Sequence, residues 1–256
     1  MSLGYNNILN LPERCWLNKK LTKAFFLKNF ELSATEKKRL NNQIESMTWL
    51  ASIKPSNSNI PAIITNEYSY EEIQVISVTV PNGDVEREGN KYAEFIHKFI
   101  PYQILVLVED YTHYLISLTD KRINQADKNK RTIERHFHSQ ALSRLYKNDL
   151  TEAFYKTITF SQIDKTNLET TYKSYIQAVI QLQTSALTGS FQKRSYKRTE
   201  EELELIETVE EMEQEILGLK NELKKESQLN SKIKLNVTIQ EKRKKIEEIK
   251  HKLSKE

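Results

Sequence analysis

The sequence holds one cysteine, Cys15. That excludes an internal disulfide and any zinc site built from several cysteines, and it fits a reducing compartment. Glycine and proline are scarce as well, five of each in 256 residues, so long irregular segments are not expected and helices should dominate. No stretch approaches the roughly 18 uninterrupted apolar residues of a membrane-spanning helix. The opening MSLGYNNILNLPERCW has neither the charged start nor the apolar run of a signal peptide, which makes the cytoplasm the expected location. A glycine-rich phosphate loop, a Walker motif and a Ser-His-Asp pattern are all missing, so nothing supports an ATPase or a hydrolase of those kinds. The net charge of +4 is small for this length. Bulk charge therefore gives no sign of nucleic-acid binding, and local runs have to decide.

What is present suits a core with an appendage. Apolar residues make up 38% and charged residues 29%, polar enough that part of the chain should stay outside a core. The central stretch, IPYQILVLVEDYTHYLISLTDKRIN from Ile100 to Asn124, reads as two adjacent strands. Gln103 to Val108 is an aliphatic run, Glu109 to Thr112 holds the turn, and His113 to Thr119 alternates. Glu72 to Val80, EIQVISVTV, is apolar on both alternating sets, the mark of an inner strand. Arg131 to His138 reads as a further strand beyond a charged loop, DKRINQADKNK.

Helices are signalled between these strands. Ser33-Ala34-Thr35-Glu36 has capping-box form. The helix it starts would carry Leu40, Ile44, Met47 and Ala51 on one face and stop at Pro55. Tyr92, Phe95, Ile96 and Phe99 outline a short amphipathic helix. Leu168, Tyr172, Tyr175, Ile176, Val179 and Leu182 outline a longer one ending before Gly189. Residues 1–30 read as an arm packed on the domain. The expected fold class is α+β, a mainly antiparallel sheet of about four or five strands with packed helices over residues 1–187. A basic linker, 188–199, and a helical tail, 200–256, would follow.

The tail contains neither proline nor an aromatic residue. Leu205, Val209, Met212, Ile216, Leu219 and Leu223 form one heptad seam, and Leu235, Ile239, Lys242, Ile246, Ile249 and Leu253 form a second that is out of phase with it. The two are mirror images about Leu229, with Ile216 opposite Lys242. Glutamates crowd the first arm and lysines the second. An antiparallel coiled-coil hairpin turning near Ser227 to Ser231 is expected. The competing arrangement is a parallel homodimer through the first seam, at a like-charge cost.

Three sets of residues could carry chemistry. His136 and His138 share a strand face, and His113 could sit nearby, but no carboxylate or cysteine has matching spacing for a metal. Packed or exposed histidines are the plainer reading, and neither a metal nor a cofactor is expected. Glu72 and Gln74 on an inner strand, with Asp84 after it, are similar to the acidic strand of metal-dependent nucleases, though the usual lysine is missing. Two basic stretches combine charge for phosphates with rings for stacking: Lys121, Arg122, Lys128, Lys130 and Arg131, and then Lys193, Arg194, Lys197 and Arg198 among Phe191 and Tyr196. Solvated surface is their plainer reading.

Several segments in order, LPERCWLNKKLTKAFF, IESMTWLASIKPSNSNIP, EEIQV, FIPYQILVLVED, RINQADKNK and KKESQLNSKIKLN, resemble an uncharacterised bacterial family, domain of unknown function 4391. The resemblance implies a setting beside Swi/Snf-type helicases and DNA methyltransferases in restriction-like or phage-defence gene clusters. It brings no catalytic residues. The expected role is a non-enzymatic accessory or adaptor subunit that binds a helicase or methyltransferase and possible nucleic acid; the alternative is a divergent metal-dependent nuclease.

Overall fold

The computed structural model describes residues 8–128, 130–192 and 194–255. The chain divides into two compact units, one ending at Val179 and the other starting at Ile180. Among the described residues no helix is long and apolar enough to cross a membrane.

The first unit is built on one seven-stranded mixed sheet. Its strands are β1 (Trp16–Lys20), β2 (Ser46–Ile53), β5 (Ile73–Thr79), β6 (Gln103–Glu109), β7 (His113–Ile123) and β8 (Arg131–His138), in that spatial order, with β9 (Leu142–Ser143) also pairing β7. A separate small hairpin joins β3 (Ile63–Ile64) to β4 (Ser69–Tyr70). The α+β class holds, but the sheet is larger than four or five strands and is partly parallel. β5 and β6 run parallel from Ile73↔Gln103 to Thr79↔Glu109. The cause is the connection between them. The helix Asp84–Phe99 carries the chain back to the end where β5 began, and a helical crossover of that kind returns a parallel strand.

Numbered in chain order, the helices are α1 (Lys23–Asn29), α2 (Ala34–Lys38), α3 (Pro55–Ser58), α4 (Asp84–Phe99), α5 (Asp149–Ile158) and α6 (Leu168–Thr188). The Ser33 capping box forms as expected. Its helix is short, however: a π turn over Arg39–Gln43 ends it, and Ser46–Ile53 is strand. Met47 and Ala51 fit a helical step of four, but Met47, Trp49, Ala51 and Ile53 also fit a period of two. Pairing decides between the two patterns, because this segment lies between β1 and β5 and bonds to both. Pro55 then opens α3 rather than stopping a helix. The N-terminal arm supplies β1, whose Lys19 and Lys20 are exposed, a common way to keep an edge strand from recruiting another chain.

One face of the sheet packs Ile76, Val78, Val106, Val108 and Leu115 against Tyr92, Phe95 and Ile96 of α4 and Phe26 of α1. Each such side chain contributes about 1.5–3 kcal/mol by burial. The β6–β7 turn lacks glycine because Asp110 organises it. One carboxylate oxygen accepts from the amides of Thr112 (2.8 Å) and His113 (2.7 Å), the other from Gly83 (2.9 Å) and Val85 (3.3 Å) at the start of α4. Burial pushes this carboxyl up, and the amides more than offset that, so its pKa is lowered.

The β6–β7 pairing runs only from Glu109↔Tyr114 to Val106↔Ser117. Beyond it a side chain from α6 takes over the backbone groups. The Tyr172 hydroxyl accepts from the Thr119 amide (3.1 Å) and shares its proton between the Ile104 and Thr119 carbonyls (both 3.0 Å). Removing it with Tyr172→Phe strands buried backbone groups, and the expected loss is about 2–4 kcal/mol in urea unfolding. An unchanged midpoint would show that strand pairing re-forms without the hydroxyl.

The second unit is helical. α7 (Tyr196–Lys225) and α8 (Leu229–Ser254) are joined by Glu226–Gln228, close to the expected turn but starting one residue earlier. The Glu226 carboxylate accepts from the amides of Ser227 and Gln228 and so folds this connection. Val209, Ile216, Ile239 and Ile246 form the buried seam, flanked by Leu187, Met212, Leu219, Leu223 and Ile249. Glu215 pairs with Lys242, and the two helices run in opposite directions. The basic linker is shorter than 188–199, because α6 continues to Thr188 and α7 begins at Tyr196 with Ser195 as its cap.

Candidate functional site

A cluster of buried and half-buried polar side chains lies where α4 crosses β7 and β8. Ser117, Thr119 and Lys121 alternate along β7, and the β7–β8 register sets His138 opposite Ser117 and His136 opposite Thr119. His97 of α4 drops onto them, with Nε2 3.0 Å from Ser117 Oγ and Nδ1 3.2 Å from Thr119 Oγ1. The His136 and His138 rings stack at 5.6 Å, the His97 ring meets His136 edge-on at 6.1 Å, and Glu94 lies 3.6 Å from His138 Nε2.

Burial sets the electrostatics here. It lowers the His97 pKa well below its usual value, with Lys121 and the other two rings adding to the effect. It also lowers His136, and it brings His138 to about 4, with His136 contributing. All three rings are therefore neutral at pH 7. Lys121 is 1% exposed, and its ammonium donates to the carbonyls of Ile100 (2.7 Å) and Tyr102 (2.9 Å). Burial, then Arg131, lower its pKa to about 7. Both nitrogens of His97 are occupied, and among the described residues no group of three His, Cys, Asp or Glu is placed to hold a metal. His113 is not part of this group: it sits by β9 and Glu86.

Lys121 is thus removed from the expected basic surface. The charged run after Thr119 reads as loop in sequence, whereas β7 continues to Ile123 and Lys121 keeps the inward phase of Ser117 and Thr119. Its neighbours are also largely engaged. Arg122 pairs with Glu134 at 2.9 Å, Arg131 donates to the carbonyls of Lys128 and Lys130, and Lys130 lies 3.5 Å from Asp127. Lys128 and Lys130 are exposed.

The second basic stretch is structural where it is described. Glu202, 0% exposed, accepts from Arg194 Nε (3.1 Å) and Arg198 Nε (3.2 Å). The outer nitrogens of both guanidiniums reach the last carbonyls of α8, Arg194 to Leu253 and Lys255, Arg198 to Lys252 and Lys255. These arginines act as a C-terminal cap for a helix more than fifty residues away in sequence. Lys193 lies outside the described residues; Lys197 falls in the first turn of α7.

Glu72, Gln74 and Asp84 do not converge. Glu72 and Asp84 flank opposite ends of β5, whose seven residues span about 23 Å. Glu72 accepts from Ser52 Oγ (2.7 Å), and the Gln74 amide lies at 3.5 Å. Asp84 accepts from Tyr92 Oη (2.9 Å) and pairs with Arg87.

A family model described as a domain of unknown function, number 4391, matches residues 9–246. The chain belongs to that family. No curated protein and no solved structure matches it. The span shared with the 4391 family takes in the whole sheet, the His97–Lys121–His138 group and the helical pair as far as Ile246. Sequence reasoning missed His97 because it lies beside the apolar stripe of α4; its only signal was a position one residue after Ile96.

Proposed function

We propose that this chain is a non-enzymatic accessory subunit, an adaptor of a bacterial helicase- or methyltransferase-containing restriction-like system in phage defence, and that it holds its protein partner on the α7–α8 pair. The setting comes from the family resemblance. The observation that carries the binding role is the character of the pair itself. α7 holds ten glutamates against five lysines and arginines, and α8 eight lysines and arginines against three glutamates. Charges sorted in this way select a partner and its orientation more than they add affinity. The seam has coiled-coil spacing. Beside it a groove is lined by Glu213, Leu217, Lys220, Arg243 and Glu247. Leu217 is 54% exposed within this charged lining and is suited to anchor a partner helix.

The residues that would make it an enzyme support this reading in another way. Glu72 and Asp84 serve hydrogen bonds at opposite ends of a strand, and Arg194 and Arg198 serve the fold of the tail. Among the described basic candidates, Lys128 and Lys130 are the exposed ones left for a nucleic-acid contact. The full chain, co-expressed with a helicase or methyltransferase from a gene cluster of that kind, should capture that protein. Leu217→Glu should lower capture at least tenfold, about 1.4 kcal/mol, with the melting temperature unchanged. Capture that is undiminished overturns the assignment of this groove.

A further inference from the structure

The groove beside Leu217 is one side of the helical pair; α8 has a second apolar surface on its outer side. Leu229, Ile233 and Val237 are 71%, 52% and 51% exposed, while Ile239 and Ile246 of the same helix are buried against α7. At 100° per residue, Ile233 lies about 120–140° round the helix from Ile239 and Ile246. The residues sharing its face, Asn230, Asn236 and Gln240, are exposed and uncharged. Over three turns this face carries no charge, on a helix with eleven charged side chains.

From Leu229 to Val237 the order of residues on this face is palindromic about Ile233. Leu229 mirrors Val237, and Asn230 mirrors Asn236. A two-fold contact needs that property, since position i of one copy must accept position j of the other and the reverse. We propose that the outer face of α8 docks a second copy of this chain, α8 against α8, antiparallel, with the two-fold axis at Ile233. Resting on the reading of the tail as an interaction element, this identifies one of its partners as the chain itself.

In that arrangement Ile233 meets Ile233 of the second copy. Leu229 meets Val237, and the amides of Asn230 and Asn236 bond each other across the contact. A parallel pairing would set each of these residues against itself and bring the lysine-rich second halves of α8 side by side. Three apolar side chains from each copy make a small interface, of the weak, reversible class. Because the face is uncharged, added salt should not dissolve it.

The test uses the full chain at ~100 μM, where micromolar affinity fills the site. Sedimentation should show a dimer that persists in ~0.5 M salt, and Ile233→Lys should return it to monomer with the circular dichroism unchanged. Cys15 is buried, so single introduced cysteines report the geometry under mild oxidation. Ile233→Cys should link to itself. Val237→Cys should link at least tenfold more slowly to itself than to Leu229→Cys in a mixture. A monomer at this concentration overturns the proposal, as does a dimer in which Val237→Cys self-links as fast as Ile233→Cys. Neither outcome touches the groove beside Leu217, whose readout is capture of the other protein.

Discussion

Lowering the pH from 7 to about 4.5 is expected to remove most of the stability of the first unit, and to do so through the histidines beneath α4. His97, His136 and His138 all have lowered pKa values, His138 about 4, with burial the largest cause in each case. An unfolded histidine takes up its proton near pH 6.5. Below that point the unfolded chain binds protons that the folded chain refuses. Their contribution is therefore complete above pH 6.5 and is lost as the pH falls towards the folded values. Each ring contributes a slope of up to ~1.4 kcal/mol per pH unit in that window. Glu94 beside His138 opposes this, but it is about half exposed and weakened by solvent. Lys121 extends the same trend upward. Its pKa is lowered to about 7 from an ordinary value near 10.4, so stability should climb by a similar slope from pH 7 towards pH 9.5. Urea midpoints at stepped pH measure both arms. His138→Gln should flatten the acid arm, and a profile level from pH 7 to 5 would show that these rings are not buried as described.

Replacing Glu202 by alanine should cost the helical tail about 3–5 kcal/mol, the usual result of removing one side of a buried charge group. Its carboxylate joins Arg194, Arg198 and Thr184, and the arginines in turn hold the end of α8. Loss of the carboxylate leaves two partly buried guanidiniums without the anion they share, so the effect should spread to the far helix. Far-UV circular dichroism should show the tail melting early while the sheet unit keeps its transition. A variant that melts like the parent would place the stability of the tail wholly in the Val209–Ile246 seam. Glu202→Gln keeps the shape and loses the charge, and it should fall between the two.

The sequence was most legible where a pattern has one physical solution. β5 is apolar on both alternating sets and is an inner strand. The helix signalled from Leu168 to Leu182 is α6, and the tail pairs nearly in the expected mirror, with Glu215, one residue from Ile216, bonded to Lys242. It was least legible where two periods coincide, as in Ser46–Ile53, or where composition hides burial. Charged residues are seldom buried, so Asp120-Lys121-Arg122 looks like loop. What sets Lys121 inside is the alternation begun at Ser117, together with two carbonyls at the end of α4 that no local pattern announces. Arg194 and Arg198 misled for a similar reason. A basic cluster among aromatic residues is also what a helix end needs when its last carbonyls fold back alongside. The histidine group was half visible: the spacing of His136 and His138 was plain, but the third ring came from a helix some forty residues away.

The hydroxyl of Tyr172 also bears on the order in which the chain assembles. The hairpin of β6 and β7 can zip from its turn at Asp110 only as far as Val106 and Ser117. The rest of its length has to wait for a group that lies 53 residues beyond Thr119. Closing so long a loop is slow compared with closing a turn. The last rungs at the centre of the sheet therefore form late, and only once the Tyr172 turn of α6 has arrived.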